Sequence, residues 1–154
     1  MSKGTIAITP RSLSLKGHPA LTALERAGYT LIYPTPGKQP NEQELLAFLP
    51  ECVGYLAGVE PISAAVLQQC PRLKVISRNG VGVDNVDLAA AAQLGIAVEK
   101  ALNANSRGVA ELAITLILSG LRHVSWSDAQ IKAGKWGRKT GIELFGRTLG
   151  VVGC

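Results

Sequence analysis

An α/β fold built on a doubly wound parallel sheet is the class this sequence predicts, and three observations predict it. Short β-rich runs alternate with Ala- and Leu-rich stretches of helical period. The β runs are apolar throughout, as strands covered by helices on both faces must be. Gly and Pro stand at the joints between the two kinds of segment.

In chain order, the first strand is predicted at Thr5–Thr9, followed by a helix over His18–Ala27 that Gly28 closes as a C-cap. A strand at Thr30–Tyr33 stops at Pro34, and a helix over Asn41–Phe48 stops before Pro50. The third strand, Gly54–Ala57, leads to a helix over Ser63–Gln69 that ends before Pro71. The fourth, Val75–Ser77, leads to a helix over Asp87–Leu94 closed by Gly95, and a fifth follows at Ile96–Glu99. Right-handed crossovers leave few other topologies for five such strands, so residues 1–104 are predicted to form one domain. Residues 105–154 then begin another. They hold a helix over Ser106–Val124, a polar stretch over Ser125–Arg147 and a strand at Leu149–Val152. In that helix Glu111, Thr115, Ser119 and Arg122 make a single polar stripe, and the rest of its girth is apolar or small. Such a helix is expected to be buried on several sides, at a seam between domains or subunits.

With 154 residues, 47% of them hydrophobic, the chain suits one domain or one domain plus part of another, and no segment has the composition of disorder. The formal charge of +5 gathers partly in Arg122, Lys132, Lys135, Arg138, Lys139 and Arg147, opposed there by Asp128 and Glu143. A solvated surface is the simpler reading of that cluster, and an anion-attracting one the alternative. No basic patch is interleaved with aromatics, so no nucleic acid partner is expected. Cys52, Cys70 and Cys154 form no CxxC and are odd in number, as in a reducing compartment. The start, MSKGTIAITPR, lacks the apolar core of a signal peptide, and Leu112–Leu121 falls short of a membrane span. A cytoplasmic protein with no membrane partner is therefore expected. His18 and His123 have no metal-ligand spacing around them, so no metal is expected and surface or capping roles are assigned to both. Trp126 and Trp136 are expected to be packing residues.

Ligands of open parallel sheets bind beyond the carboxyl ends of the strands. Three loops leave that edge: Gly58–Pro61, Arg78–Asn85 and Lys100–Asn105. In the second, Gly80 and Gly82 bracket Val81. Glycines at such places permit positive φ and close approach, so that successive N–H groups converge on an anion, with Arg78 supplying a forked contact. A tight strand-to-helix turn with Arg78 at the surface fits the spacing equally well. In the third loop Ser106 reads as an N-cap, and Asn103 and Asn105 as hydrogen-bonding or simply turn residues. Gly153 after the last predicted strand matches the first position of a GxGxxG turn, which by itself is weak evidence.

The run Leu73–Asp87, read as LKVISRNGVGVDNVD, resembles the signature loop of the D-isomer-specific 2-hydroxyacid dehydrogenases, especially their 3-phosphoglycerate dehydrogenase branch. Asn105-Ser106 followed by Val109-Ala110-Glu111-Leu112, the element Gly134-Lys135-Trp136, and Gly146–Gly153 resemble further motifs of the same family, in the same order. The resemblance implies a flavodoxin-like substrate domain and the truncated start of a Rossmann NAD-binding domain. It implies that the amides of Val81 and Gly82 hold a substrate carboxylate, that Arg78 and Asn105 contact the substrate, and that Val109 and Gly153 belong to the side of the cofactor, NAD with NADP as the alternative. The family's catalytic Arg, Glu and His are implied to lie beyond residue 154, so the segment alone is expected to be inactive. The Ser106–Val124 helix is implied to form a homodimer seam.

Where the phosphoglycerate branch commonly carries Arg-Ser, this sequence has Ala57-Gly58-Val59-Glu60, and an acidic Glu60 there is expected to repel a phosphate. The leading expectation is thus hydride transfer between a D-2-hydroxy acid, 3-phosphoglycerate among the candidates, and a nicotinamide. The rival is a peptide-binding corepressor module of the C-terminal binding protein kind. A formate dehydrogenase is a third reading, which Arg78 disfavours.

Overall fold

The computed structural model describes residues 2–15 and 18–152. The chain divides into two compact units, Met1–Ala104 and Asn105–Cys154.

The first unit is a five-stranded parallel sheet. Its strands are β1 (Thr5–Ile8), β2 (Thr30–Ile32), β3 (Cys52–Ala57), β4 (Val75–Arg78) and β5 (Ala97–Lys100), in the spatial order β2-β1-β3-β4-β5. Helices α1 (Arg11–Ser14), α2 (Pro19–Arg26), α3 (Glu42–Phe48), α4 (Ala64–Gln68) and α5 (Leu88–Gln93) fill the connections. The winding steps one way from β1 to β2 and the other way from β3 to β5. Right-handed crossovers therefore set α2 on one face and α3, α4 and α5 on the other. Leu45, Val66, Leu67, Ala90 and Ala91 from those three helices share one buried cluster with Ala7, Cys52, Tyr55, Ala57 and Ile76 of the strands.

The local sequence explains the helix starts. His18 Nδ1 accepts from the Ala20 amide ahead of α2. Asn41 and Glu44 close a capping box ahead of α3. The side chains of Ser63 and Asp87 accept from Val66 and Ala90, each satisfying a first-turn donor. Gly95, at φ +70°, ends α5 in the left-handed region that glycine enters without strain.

The second unit departs from the sequence-based expectation in four ways. First, the expected Ser106–Val124 helix ends early: α6 spans Ser106–Leu121, and His123 takes φ 54°. A second helix, α7 (Val124–Lys132), begins within the stretch expected to be merely polar, with an Asp128–Lys132 pair at 2.7 Å on one face. Second, Asn105 and not Ser106 occupies the N-cap, and it makes no side-chain cap bond. Third, no residue of α6 is buried, although Leu112, Ile114, Leu116 and Leu118 lie on it. Trp136, expected to pack, is 81% exposed. This unit contains no buried residue among those described, so there is no core to receive these side chains. Fourth, Leu149–Val152 forms no strand: a strand exists only where a neighbour takes its N–H and C=O groups, and no described residue pairs with it. Gly153 lies outside the described residues.

No single helix among the described residues is long and apolar enough to cross a membrane. Cys52 and Cys70 are buried free thiols. Burial pushes both up, Cys70 to about 11, so the reactive thiolate is scarce at pH 8 in the folded chain and abundant once unfolding exposes it. Alkylation with iodoacetamide at pH 8, mapped by peptide mass, is expected to label Cys52 and Cys70 slowly in buffer and rapidly in denaturant. Ile76 is fully buried on β4, between β3 and β5. Ile76→Ala is expected to cost about 2–5 kcal/mol of unfolding free energy, read from the urea midpoint.

Candidate functional site

A sheet whose strand order reverses opens a crevice where the chain winds away in both directions, and here that point lies between β1 and β3. A cavity of about 400 Å³ occupies this place, walled by residues that follow the carboxyl ends of three strands. Thr9, Pro10, Arg11 and Ser12 come from the exit of β1, Gly58, Val59 and Glu60 from that of β3, and Asn79 from that of β4. Arg78, the last residue of β4, and Gln39 complete the wall.

Arg78 is 9% exposed, which excludes the surface-turn reading of its loop. Its Nε donates to Asn85 Oδ1 at 2.9 Å. The Asn85 amide nitrogen in turn donates to the Glu60 carbonyl at 2.7 Å. The β4 loop is thereby tied to the β3 loop through a single carboxamide. A parallel bridge between Ile62 and Val86 reinforces the tie, with Ile62 N donating to Asn85 O at 2.7 Å. Among the described residues, the terminal guanidinium nitrogens of Arg78 take no hydrogen bond, and no carboxylate pairs with them.

Glu60 lies in the wall of the same cavity. It is 1% exposed, and its Oε1 accepts from the Gly58 amide at 2.8 Å, from the Thr9 hydroxyl and from the Tyr55 hydroxyl. Three neutral donors of the wall thus fix the side chain in place, and it remains part of the cavity lining. Burial first, and then the neighbouring Glu60, push the Tyr55 hydroxyl far up, which keeps it a proton donor.

Gly80 and Gly82 behave otherwise than expected, since neither has positive φ. Glycine at 80 serves space instead: a Cβ there would stand 3.3 Å from a terminal nitrogen of Arg78. Val81 is 41% exposed and Gly82 is exposed. Among the described residues the amides of both donate no hydrogen bond. The Gly80 carbonyl accepts from Ala101 N at 3.0 Å, which fastens the loop to the end of β5.

Arg78, at the end of β4, lines the cavity, whereas Val81 and Gly82, on the loop that follows, do not. Asn105 and Val109 belong to the second unit, as N-cap and first-turn residue of α6, with Val109 56% exposed. The described residues form no glycine-rich turn between a strand and a helix in that unit, and so no cradle for a pyrophosphate. Sequence reasoning missed Thr9, Arg11, Ser12 and Gln39. The available signal was Thr9-Pro10-Arg11-Ser12 directly after a strand, the same position that singled out the other loops.

Comparison with known proteins gives the family and the fold. The family model described as "D-isomer specific 2-hydroxyacid dehydrogenase, catalytic domain" matches residues 11–148. A D-3-phosphoglycerate dehydrogenase of Archaeoglobus fulgidus is 48% identical over 116 residues, covering 73% of this chain and 22% of that relative. One from Mycobacterium leprae is 40% identical over 117 residues, covering 74% of this chain. The chain spans about a fifth of the length of these relatives, 22% in each case. Among solved structures, a protein of Thermus thermophilus aligns with a TM-score of 0.76 at 30% identity, over 87% of this chain and 42% of that one. The NAD-dependent formate dehydrogenase of Staphylococcus aureus, solved in complex with NAD, aligns with a TM-score of 0.72 at 26% identity, over 86% and 43%.

Tyr55→Phe removes one donor from a buried carboxylate and leaves the ring in place. It is expected to destabilise the chain by about 1.5–3 kcal/mol, measured by denaturant unfolding.

Proposed function

Since the chain belongs to the D-isomer specific 2-hydroxyacid dehydrogenase family, we propose that its first unit binds the carboxylate of a small D-2-hydroxy or 2-oxo acid for a nicotinamide-dependent oxidoreductase. The observation that carries this reading is the segment Arg78–Gly82: a buried arginine whose terminal nitrogens are unengaged among the described residues, followed after Asn79 and Gly80 by two exposed residues whose amides have no partner among them. Converging N–H groups beside a guanidinium suit a carboxylate, which offers several lone pairs to a fixed set of donors.

In this reading the Val81 and Gly82 amides anchor the acid and Arg78 orients it, while Asn85 fixes the direction of the guanidinium. Asn105 and Val109 enter the proposal through their motif positions, Asn105 for substrate and Val109 for cofactor, as Gly153 does for cofactor. The cofactor is NAD, with NADP as the alternative. The described residues hold no dinucleotide cradle, so residues 1–154 alone are expected to bind acid without turning it over. The apolar face of α6 is proposed as a homodimer surface of the whole protein.

The reading is tested by titrating D-lactate into the ¹⁵N-labelled chain. The Val81 and Gly82 amide resonances are expected to shift saturably, and Arg78→Gln to weaken binding by about tenfold or more, the loss of one charge-assisted contact. Unmoved resonances at these two amides would refute it.

A further inference from the structure

The cavity wall holds a buried carboxylate that the anchoring of an acid does not explain. Glu60 is 1% exposed, and its Oε1 alone gathers the Thr9 hydroxyl from the exit of β1, the Tyr55 hydroxyl from β3 and the Gly58 amide at 2.8 Å. Thr9 and Tyr55 also meet each other at 3.1 Å. Gly58 leaves room for the group, since a Cβ there would stand 2.7 Å from Glu60 Oε2. Taking a carboxylate out of water is costly, and an apolar side chain of like volume often serves stability as well. Stability alone is therefore a poor reason for Glu60.

A better reason lies in the main chain of the same residue. Asn85 Nδ2 donates to the Glu60 carbonyl at 2.7 Å, and Asn85 Oδ1 accepts from Arg78 Nε at 2.9 Å. The path Thr9–Glu60–Asn85–Arg78 thus joins the exits of β1, β3 and β4. Tying down the Glu60 side chain fixes where its carbonyl points. The carbonyl in turn fixes which way the Asn85 carboxamide faces, and so sets Oδ1 against Arg78. A reversed carboxamide would oppose two donors. Among the described residues no ion pair joins Glu60 to Arg78, so Glu60 reaches the guanidinium through Asn85 and not by direct contact.

We propose that Glu60 is a positioning residue: through Asn85 it aims the Arg78 guanidinium at the acid, and Thr9 and Tyr55 hold it to that task. This inference rests on the acid-binding reading of the Arg78–Gly82 segment. Glu60 acts on a bound acid in two ways of opposite sign. Its negative charge in the wall repels the acid, whereas its hold on Asn85 pre-organises the arginine that attracts it. Glu60→Gln removes the charge and also loosens the hold, because an amide oxygen offers two lone pairs to three donors. Only the second effect passes through Asn85, so removing that carboxamide separates them.

The test is a double-mutant cycle of Glu60→Gln and Asn85→Ala on the 154-residue chain. D-lactate affinity is followed by NMR at the Val81 and Gly82 amides, and the Arg78 Nε–Hε resonance is read in the same samples before ligand is added. Glu60→Gln is expected to shift that resonance. It is also expected to be about threefold or more worse for D-lactate binding when Asn85 is present than in the Asn85→Ala background. Thr9→Val keeps the charge and removes one donor, so it is expected to act in the same direction. It carries the test should Glu60→Gln lose the dispersed spectrum of the folded chain. An effect on affinity that is equal in both backgrounds, or an Arg78 resonance that neither variant moves, overturns the positioning role. If D-lactate moves neither amide in the unaltered chain, the acid-binding reading falls, and the Arg78 resonance still decides whether Glu60 sets the guanidinium.

Discussion

The hydrogen bond from Arg78 Nε to Asn85 is the contact on which the site's geometry depends. Withdrawing a guanidinium from water costs on the order of several kcal/mol when nothing replaces its hydration. The fold meets part of that cost through one carboxamide, which accepts from Nε and donates to the Glu60 carbonyl. The outer nitrogens are left to face the cavity. A charge held by one edge and free at the other is pre-organised for a ligand, because little reorientation is needed when the ligand arrives. Gly80 belongs to the same device, since a side chain there would crowd the head group it must leave room for.

Much of the first unit was legible in the sequence because its signals are local. Gly28 and Gly95 stand in left-handed positions after helices, as their placement after Ala/Leu-rich runs indicates. The apolar runs at Thr5, Thr30 and Val75 each begin a strand at the residue expected. The boundaries that slipped did so by one or two residues, as at Cys52 and Ala97, where pairing with a neighbour and not composition decides the end. The four-residue helix α1 is too short to carry a period, and it went unseen for that reason.

The candidate site was legible only in part, and the reason is topological. Arg78, Val81 and Gly82 are close in sequence and mark themselves. Arg11 and Gln39 reach the same cavity from distant segments, by way of a strand order that no local pattern specifies. Glu60 shows the same limit from another side. The sequence marks its charge but not the partners that hold it in the wall: Tyr55, on the strand that leads to it, and Thr9, from the exit of a different one. Composition tells what a residue carries, and only its partners tell where that charge is directed. The second unit illustrates the same point with apolar residues: α6 has the makeup of an interior helix, yet the described residues of its own unit offer no interior.

The position of β1 bears on how the chain is made. It is synthesised before β2 and β3, yet it lies inside the sheet, with β2 on one side and β3 on the other. Its second edge stays open until residues 52–57 have emerged, so a nascent chain stalled before that point presents an unpaired apolar ribbon to its surroundings. A change within β1 thus acts on the interior of the sheet and not on its margin.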